Sequence, residues 1–257
     1  MDESLERVTG KIKLLAKAKP LPDVSARNLH EDFLIRYAHE TTAIEGNTLT
    51  LHETQVVLEN GITVAGKLLR EHLEVVNARD AMVWLEQDEV QREPITETTI
   101  LHIHSIIMRG ILDGEAGSYR RHPVRIIGSS HVPPNWVKVP ERMERFVDRI
   151  AQGPGDEHPV SFAARAHIEL AAIHPFIDGN GRVSRMIVNL LLMQSGYPPA
   201  LYSGTNRANY LSALERAQTE GDDGAFIAIT AEAVETVLDR YLGIVQMVEQ
   251  AEFQIEP

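Results

Sequence analysis

Cysteine does not occur in this 257-residue chain, so disulfides, thiolate metal sites and cysteine nucleophiles are excluded together. Aromatic residues are scarce at 5%, which leaves most of the core to aliphatic side chains. Basic residues are outnumbered, 25 Lys+Arg against 37 Asp+Glu, for a formal net charge of -12. A broad contact with DNA, RNA or an anionic membrane needs a basic face and is disfavoured, while a small basic pocket for a nucleotide stays compatible. The longest apolar run, 186–193, is broken by Asn189 and is too short to span a bilayer. The opening MDESLERVTGK holds acidic groups and no apolar stretch, so no signal peptide is expected. These absences point to a soluble, cytoplasmic protein that does not bind nucleic acid or membrane.

With 43% hydrophobic and 24% charged residues, the chain can build an ample core. Apolar residues recur at helical spacing over 5–18, 25–44, 68–86, 96–108, 140–151, 159–174, 182–195, 206–218 and 225–250. Thr50 followed by Glu53 has the form of a capping box and opens a further helix to 60. The weakly amphipathic start, ended by Pro20 and Pro22, reads as an N-terminal arm over 1–24, and one domain over 25–250 follows. Only 117–134 breaks the helical pattern. There, β-branched residues flank Gly128-Ser129-Ser130, which predicts a β-hairpin. The expected fold is all-α with one small hairpin.

The chemistry concentrates in His174-Pro175-Phe176-Ile177-Asp178-Gly179-Asn180-Gly181-Arg182-Val183-Ser184-Arg185. An apolar helix with Ala163, Ala166, Leu170 and Ile173 on its inner face delivers His174 at its C-terminal end, and Pro175 cannot continue it. Gly179 and Gly181 permit a tight turn that exposes backbone N–H groups, and the next helix begins at once. A helix N-terminus beside a glycine turn attracts anions, and Arg182 and Arg185 add two cations on one face. Together these features make a polyphosphate site. Asp178 suits a divalent cation that neutralises phosphate oxygens, and His174 has a pKa range suited to accepting a proton. Other readings of the segment fail. An EF-hand loop started at Asp178 would need Glu where Asn189 stands. A dinucleotide fingerprint would need Gly where Ser184 stands, and no Gly-Lys-Ser/Thr follows to make a Walker loop.

HPFIDGNGRVSR resembles the signature of Fic-domain proteins, with every fixed position matched. The resemblance extends over about residues 30–240, with the Fic core at about 96–220. It implies a protein adenylyltransferase that moves AMP from ATP onto a Ser, Thr or Tyr hydroxyl of a target protein. It further implies His174 as general base and Asp178 as holder of Mg²⁺. Gly179, Asn180, Gly181 and Arg182 would cradle the α- and β-phosphates, Arg185 would reach the γ-phosphate, and Phe176 would anchor the loop. Only the resemblance specifies AMP; transfer of phosphate or another nucleotide moiety, or a non-catalytic nucleotide-binding regulator, are the alternatives.

Thr41-Thr42-Ala43-Ile44-Glu45-Gly46 resembles the family's inhibitory motif and closes a helix over about 28–46. A carboxylate at a helix C-terminus opposes the dipole and calls for a cation; Arg185 is the natural one. The implied autoinhibition places Glu45, four residues after Thr41, in the γ-phosphate position. From there Glu45 would also be placed to orient a water that removes AMP from a modified target. The hairpin matches the family's target-binding flap, with Ile126, Ile127 and Gly128 at its tip. Tyr210 and Gln218 lie where the family builds its adenine pocket. Family members often form homodimers, and Leu68 and Leu69 offer an apolar surface for one.

Overall fold

Helices supply the regular structure of residues 3–255, the part of the chain that the computed structural model describes. They are α1 (Glu3–Leu15), α2 (Asp23–Ala43), α3 (Leu51–Asn60), α4 (Leu69–Leu85), α5 (Asp88–Arg92), α6 (Glu97–Met108), α7 (Val139–Ala151), α8 (Pro159–Ile173), α9 (Asn180–Gln194), α10 (Arg207–Glu220) and α11 (Gly224–Ile255). The short α5 has no counterpart in the apolar spacing. The capping box of α3 forms as expected: Thr50 Oγ1 accepts from Glu53 N–H, and Glu53 Oε2 accepts from Thr50 N–H.

Apolar spacing decides which helix is central. Twelve of the 15 residues of α9 are buried, and a helix apolar on all sides has to be surrounded. α8 packs most extensively against it, where Ala163, Ala164 and Ala166 keep the two backbones close. α6, α4 and α2 close the other sides. Each fully buried Leu or Ile of this core contributes roughly 1.5–3 kcal/mol. Four of the polar side chains of α9, Asn180, Arg182, Ser184 and Arg185, fall in its first two turns, so the packing points one polar tip toward α2 and α4. α1 lies along α11, with Leu5 and Val8 in the same core and Arg7 and Lys11 paired with Glu235.

The β-hairpin expected over 117–134 does not form: among the described residues there is no strand, and this stretch is irregular. A turn at Ile127–Gly128, with Gly128 at φ 80°, is closed by Ser129 N–H to Ile126 O at 3.3 Å. Its two sides are not joined by a ladder. Pro123, Pro133 and Pro134 have no N–H to give. Instead, the Arg120 guanidinium reaches both sides, donating to His122 O at 3.1 Å and Pro134 O at 2.6 Å. The tip is held from outside by Glu215, whose carboxylate accepts from the Ser129 hydroxyl and from Ser130 N–H at 2.7 Å. Side chains have replaced the cross-strand bonds that the β-branched pattern predicts.

Candidate functional site

The site is built where α8 ends and α9 begins. His174 caps α8 in the left-handed region, at φ 50° and ψ 59°, the one non-glycine residue with positive φ among those described. Such a conformation costs of order 1 kcal/mol for a side-chain-bearing residue and persists only where neighbours hold it. Here they do. Arg120 Nε donates to His174 O at 2.7 Å, and Arg120 N–H donates to Pro175 O at 2.9 Å. Phe176 plugs the loop into the core with its ring stacked on His104 at 3.7 Å between centroids. Asn180 clamps the same turn: its Oδ1 accepts from Phe176 N–H and its Nδ2 donates to Phe176 O, both at 2.9 Å. His104 completes the scaffold. Gly117 N–H donates to its Nδ1 at 3.0 Å, so its Nε2–H donates to Asp178 O at 3.1 Å. Burial pushes the His104 ring down to a pKa of about 4, which keeps it neutral in that role.

This scaffold leaves the start of α9 open. No side chain caps it, so the free N–H groups of its first turn face outward with the positive end of the dipole. Gly179, at φ 81°, has Met108 Sδ at 3.1 Å from where a Cβ would stand, so only glycine lets the turn approach α6 this closely. Asp178 sits beside it. Burial pushes its carboxyl up, but Arg182, Arg70 and the Gly179 N–H outweigh that and hold it below the ordinary range. Arg182 Nη2 donates to Asp178 Oδ1 at 3.0 Å, and Arg70 Nη2 donates to Asp178 Oδ2. The Arg182 side chain is 3% exposed.

Arg185 is buried more deeply still and is fully engaged. Its Nε donates to Thr41 Oγ1 and its Nη2 to Thr41 O, both at 2.8 Å. Nη2 also reaches Glu45 Oε1 at 2.7 Å, and Nη1 donates to Tyr210 Oη at 3.1 Å. Burial opposes the charge on Arg185, while Tyr210 and Glu45 outweigh it and raise its pKa. Glu45 follows the last turn of α2, and its Oε1 occupies the space that a Cβ on Gly181 would need. The carboxylate therefore stands over the open N-terminus of α9. In a double-mutant cycle of Glu45→Gln and Arg185→Gln, chemical denaturation should give a coupling energy of about 1–2 kcal/mol, within the usual range for contacting charged residues. Additive effects would show that the pair is geometric only.

His174 Nδ1 donates to Ala171 O, 3.3 Å away; since that carbonyl can only accept, Nδ1 carries the proton and Nε2 is left as the acceptor. Burial pushes the ring down to a pKa of about 4, with nearby Arg120 and His131 adding to the effect. It lines a cavity of about 590 Å³ together with Glu45, Ile127, Gly181, Arg185 and Gln218, a volume suited to a nucleotide-sized ligand. Ile126 and Gly128 line it as well, and Ile127 at the loop tip is fully exposed. Gln218 faces this cavity, with Nε2 at 3.5 Å from Ile168 O. Tyr210 is buried, and its hydroxyl bridges Arg185 and His167 Nε2, the latter at 2.7 Å.

Thr41, Glu45, His174 and the 178–185 loop thus meet in one place. Four contributors escape sequence reasoning: Arg70 and Glu74 from α4, Arg120, and His104. Arg70 is 108 residues from Asp178, and no local spacing relates them. His104 lies 74 residues before Asp178, and its place against Phe176 and Asp178 O is visible only in three dimensions.

A model of the Fic/DOC family matches residues 94–192, from the start of α6 through most of α9. The protein adenylyltransferase Fic of Drosophila willistoni is 38% identical over 217 residues, which is 84% of this chain and 43% of that protein. Among solved structures, a fragment of Fic-1 from C. elegans superposes with a TM-score of 0.86 at 30% identity, over 96% of this chain and 73% of that one. A Fic family protein from Desulfovibrio desulfuricans superposes with a TM-score of 0.74 at 25% identity, over 95% of this chain and 75% of that one. The chain spans less than half the length of the curated relatives it matches.

Proposed function

The chain belongs to the Fic/DOC family, and from that premise we propose that it transfers AMP from ATP to a hydroxyl side chain of a target protein, under inhibition by Glu45. One observation carries the reading: an unengaged imidazole nitrogen of His174 shares a cavity with the uncapped N-terminus of α9. In the transfer, the target hydroxyl oxygen forms a bond to the α-phosphorus while its proton passes to His174 Nε2. The bond from the α-phosphorus to the bridging oxygen breaks, and pyrophosphate leaves. The first-turn N–H groups of α9 and Arg182 stabilise the phosphate charge. The irregular loop around Ile126, Ile127 and Gly128, fastened by Glu215, lines the cavity, and there a target segment would be seated.

Asp178 fits a divalent cation of the Mg²⁺ type. Among the described residues no cluster of three or more acidic or histidine side chains could hold a metal, but Mg²⁺ is commonly held by one or two carboxylates with substrate phosphates supplying further oxygens. Asp178 is such a single carboxylate, bordering a second cavity of about 400 Å³. When bound, the ion would neutralise phosphate charge.

Incubation of the protein and a cell lysate with labelled ATP and Mg²⁺, followed by mass spectrometry, tests the proposal. An adenylyl adduct on Ser, Thr or Tyr is the expected product; a phosphoryl adduct would refute it. The pH profile provides a second check. A base must be neutral to accept the proton, and burial holds His174 at a pKa of about 4. The single-turnover rate should therefore stay flat on its acid side down to about pH 5 and decline only as His174 protonates. An acid limb centred near the ordinary histidine value of about 6.5 would show that the working base is another group.

A further inference from the structure

Two arginines and two carboxylates close a ring beside the start of α9. Arg182 Nη2 donates to Asp178 Oδ1 at 3.0 Å, and its Nη1 lies 3.6 Å from Glu74 Oε1. Arg70 Nη2 donates to Asp178 Oδ2, and its Nε donates to Glu74 Oε1 at 3.0 Å. Glu74 is further fixed by Asn47 Nδ2 at 3.0 Å. The four charges sum to zero, so the ring is electrostatically complete without any added cation.

The two arginines differ in their freedom. Arg182 is 3% exposed and cannot leave. Arg70 stands at the second position of α4, and its side chain is 51% exposed. The oxygen it engages belongs to a carboxylate that is itself 35% exposed and open to the second cavity. A divalent ion approaching that oxygen meets the Arg70 guanidinium directly, at a distance where like charges repel.

We propose that Arg70 is a displaceable counter-cation at the metal carboxylate: a divalent ion enters by exchanging with the Arg70 guanidinium on Asp178, and Arg70 then remains on Glu74. The inference rests on the reading of Asp178 as the metal-holding residue. Exchange keeps one cation leaving as the ion arrives. Glu74 retains a partner throughout, because Arg70 already holds it through a different nitrogen. The consequence is that α4, which lies outside the 174–185 loop, sets the metal affinity of the site. Arg70 is a positioning residue in this scheme and touches neither nucleotide nor target.

The probe is Mn²⁺ alone, titrated into the full chain and followed by the electron paramagnetic resonance signal of the free ion. Arg70→Gln should bind Mn²⁺ about fivefold more tightly than wild type, the effect of removing one half-exposed competing ion pair. Arg70→Lys keeps the charge and should stay close to wild type. Thermal denaturation of each variant checks that the fold persists. Unchanged or weaker binding by Arg70→Gln, with binding abolished in Asp178→Ala, would overturn the exchange while leaving Asp178 as the metal residue. Equal gains from the Gln and Lys variants would also overturn it, since charge would then be irrelevant. Binding that survives unchanged in Asp178→Ala would remove the metal reading itself, and this inference with it.

Discussion

Replacing Glu45 by glycine should raise labelling of the protein or its target by about 30- to 150-fold, the release expected when a closed state favoured by about 2–3 kcal/mol is lost. On the proposed reading the wild-type carboxylate would act in two ways. It takes Arg185 Nη2 at 2.7 Å, a donor that the terminal phosphate would otherwise use. It also stands over Gly181 at the start of α9, where its negative charge would repel an incoming triphosphate. Glycine removes both effects. The local backbone cost is small, on the order of 0.5–1 kcal/mol, because position 45 lies beyond α2 and next to Gly46, already at φ 101°. The readout is auto-modification with labelled ATP and Mg²⁺. Labelling should vanish when His174→Ala is added to Glu45→Gly. Equal labelling of wild type and the glycine variant would dispose of the inhibitory role and leave Glu45 as a structural partner of Arg185.

His174→Ala should lower transfer by about 10²–10⁴-fold, the usual effect of removing a general base. The loss is best measured in the Glu45→Gly background, where the starting rate is high. Burial leaves the ring neutral at physiological pH with Nε2 as acceptor, and among the described residues no other histidine lines the cavity. The left-handed backbone of position 174 complicates an alanine, which tolerates φ 50° poorly. His174→Asn provides the control, since asparagine accepts that conformation and carries no base of comparable strength. Both variants should lose transfer, and the asparagine variant should unfold close to wild type. Wild-type rates in either would move the base elsewhere.

How much was legible from the residues depends on how local each feature is. The turn from His174 to Arg185 is contiguous, so its glycines, its helix start and its two arginines could be placed from spacing alone. The partnership of Glu45 with Arg185 spans 140 residues; a carboxylate at a helix C-terminus calls for some cation, but only the resemblance to the family's inhibitory motif pointed to Arg185. The β-hairpin was misjudged for the opposite reason. β-Branched residues on both sides of a turn report a preference for extended backbone, and residues 123–126 form no regular element. Whether two extended segments pair depends on the groups between them, and there Arg120 occupies the carbonyls that a ladder would use.

The sequence by itself determined the helical class, the capping of α3, the position of the glycine turn and the chemical character of its neighbours. Each follows from backbone sterics and periodicity within a few residues. Tertiary structure alone decided which charges meet. Arg70 and Glu74 reach Asp178 and Arg182 because α4 packs against α9. Arg120 reaches His174 O because an irregular loop crosses the end of α8. Tyr210 takes up Arg185 because α10 closes over α8. A side-chain pairing energy is set by distance and burial, and neither is a property of the local chain. The residues announced a phosphate site with a base beside it; packing assigned each cation its carboxylate.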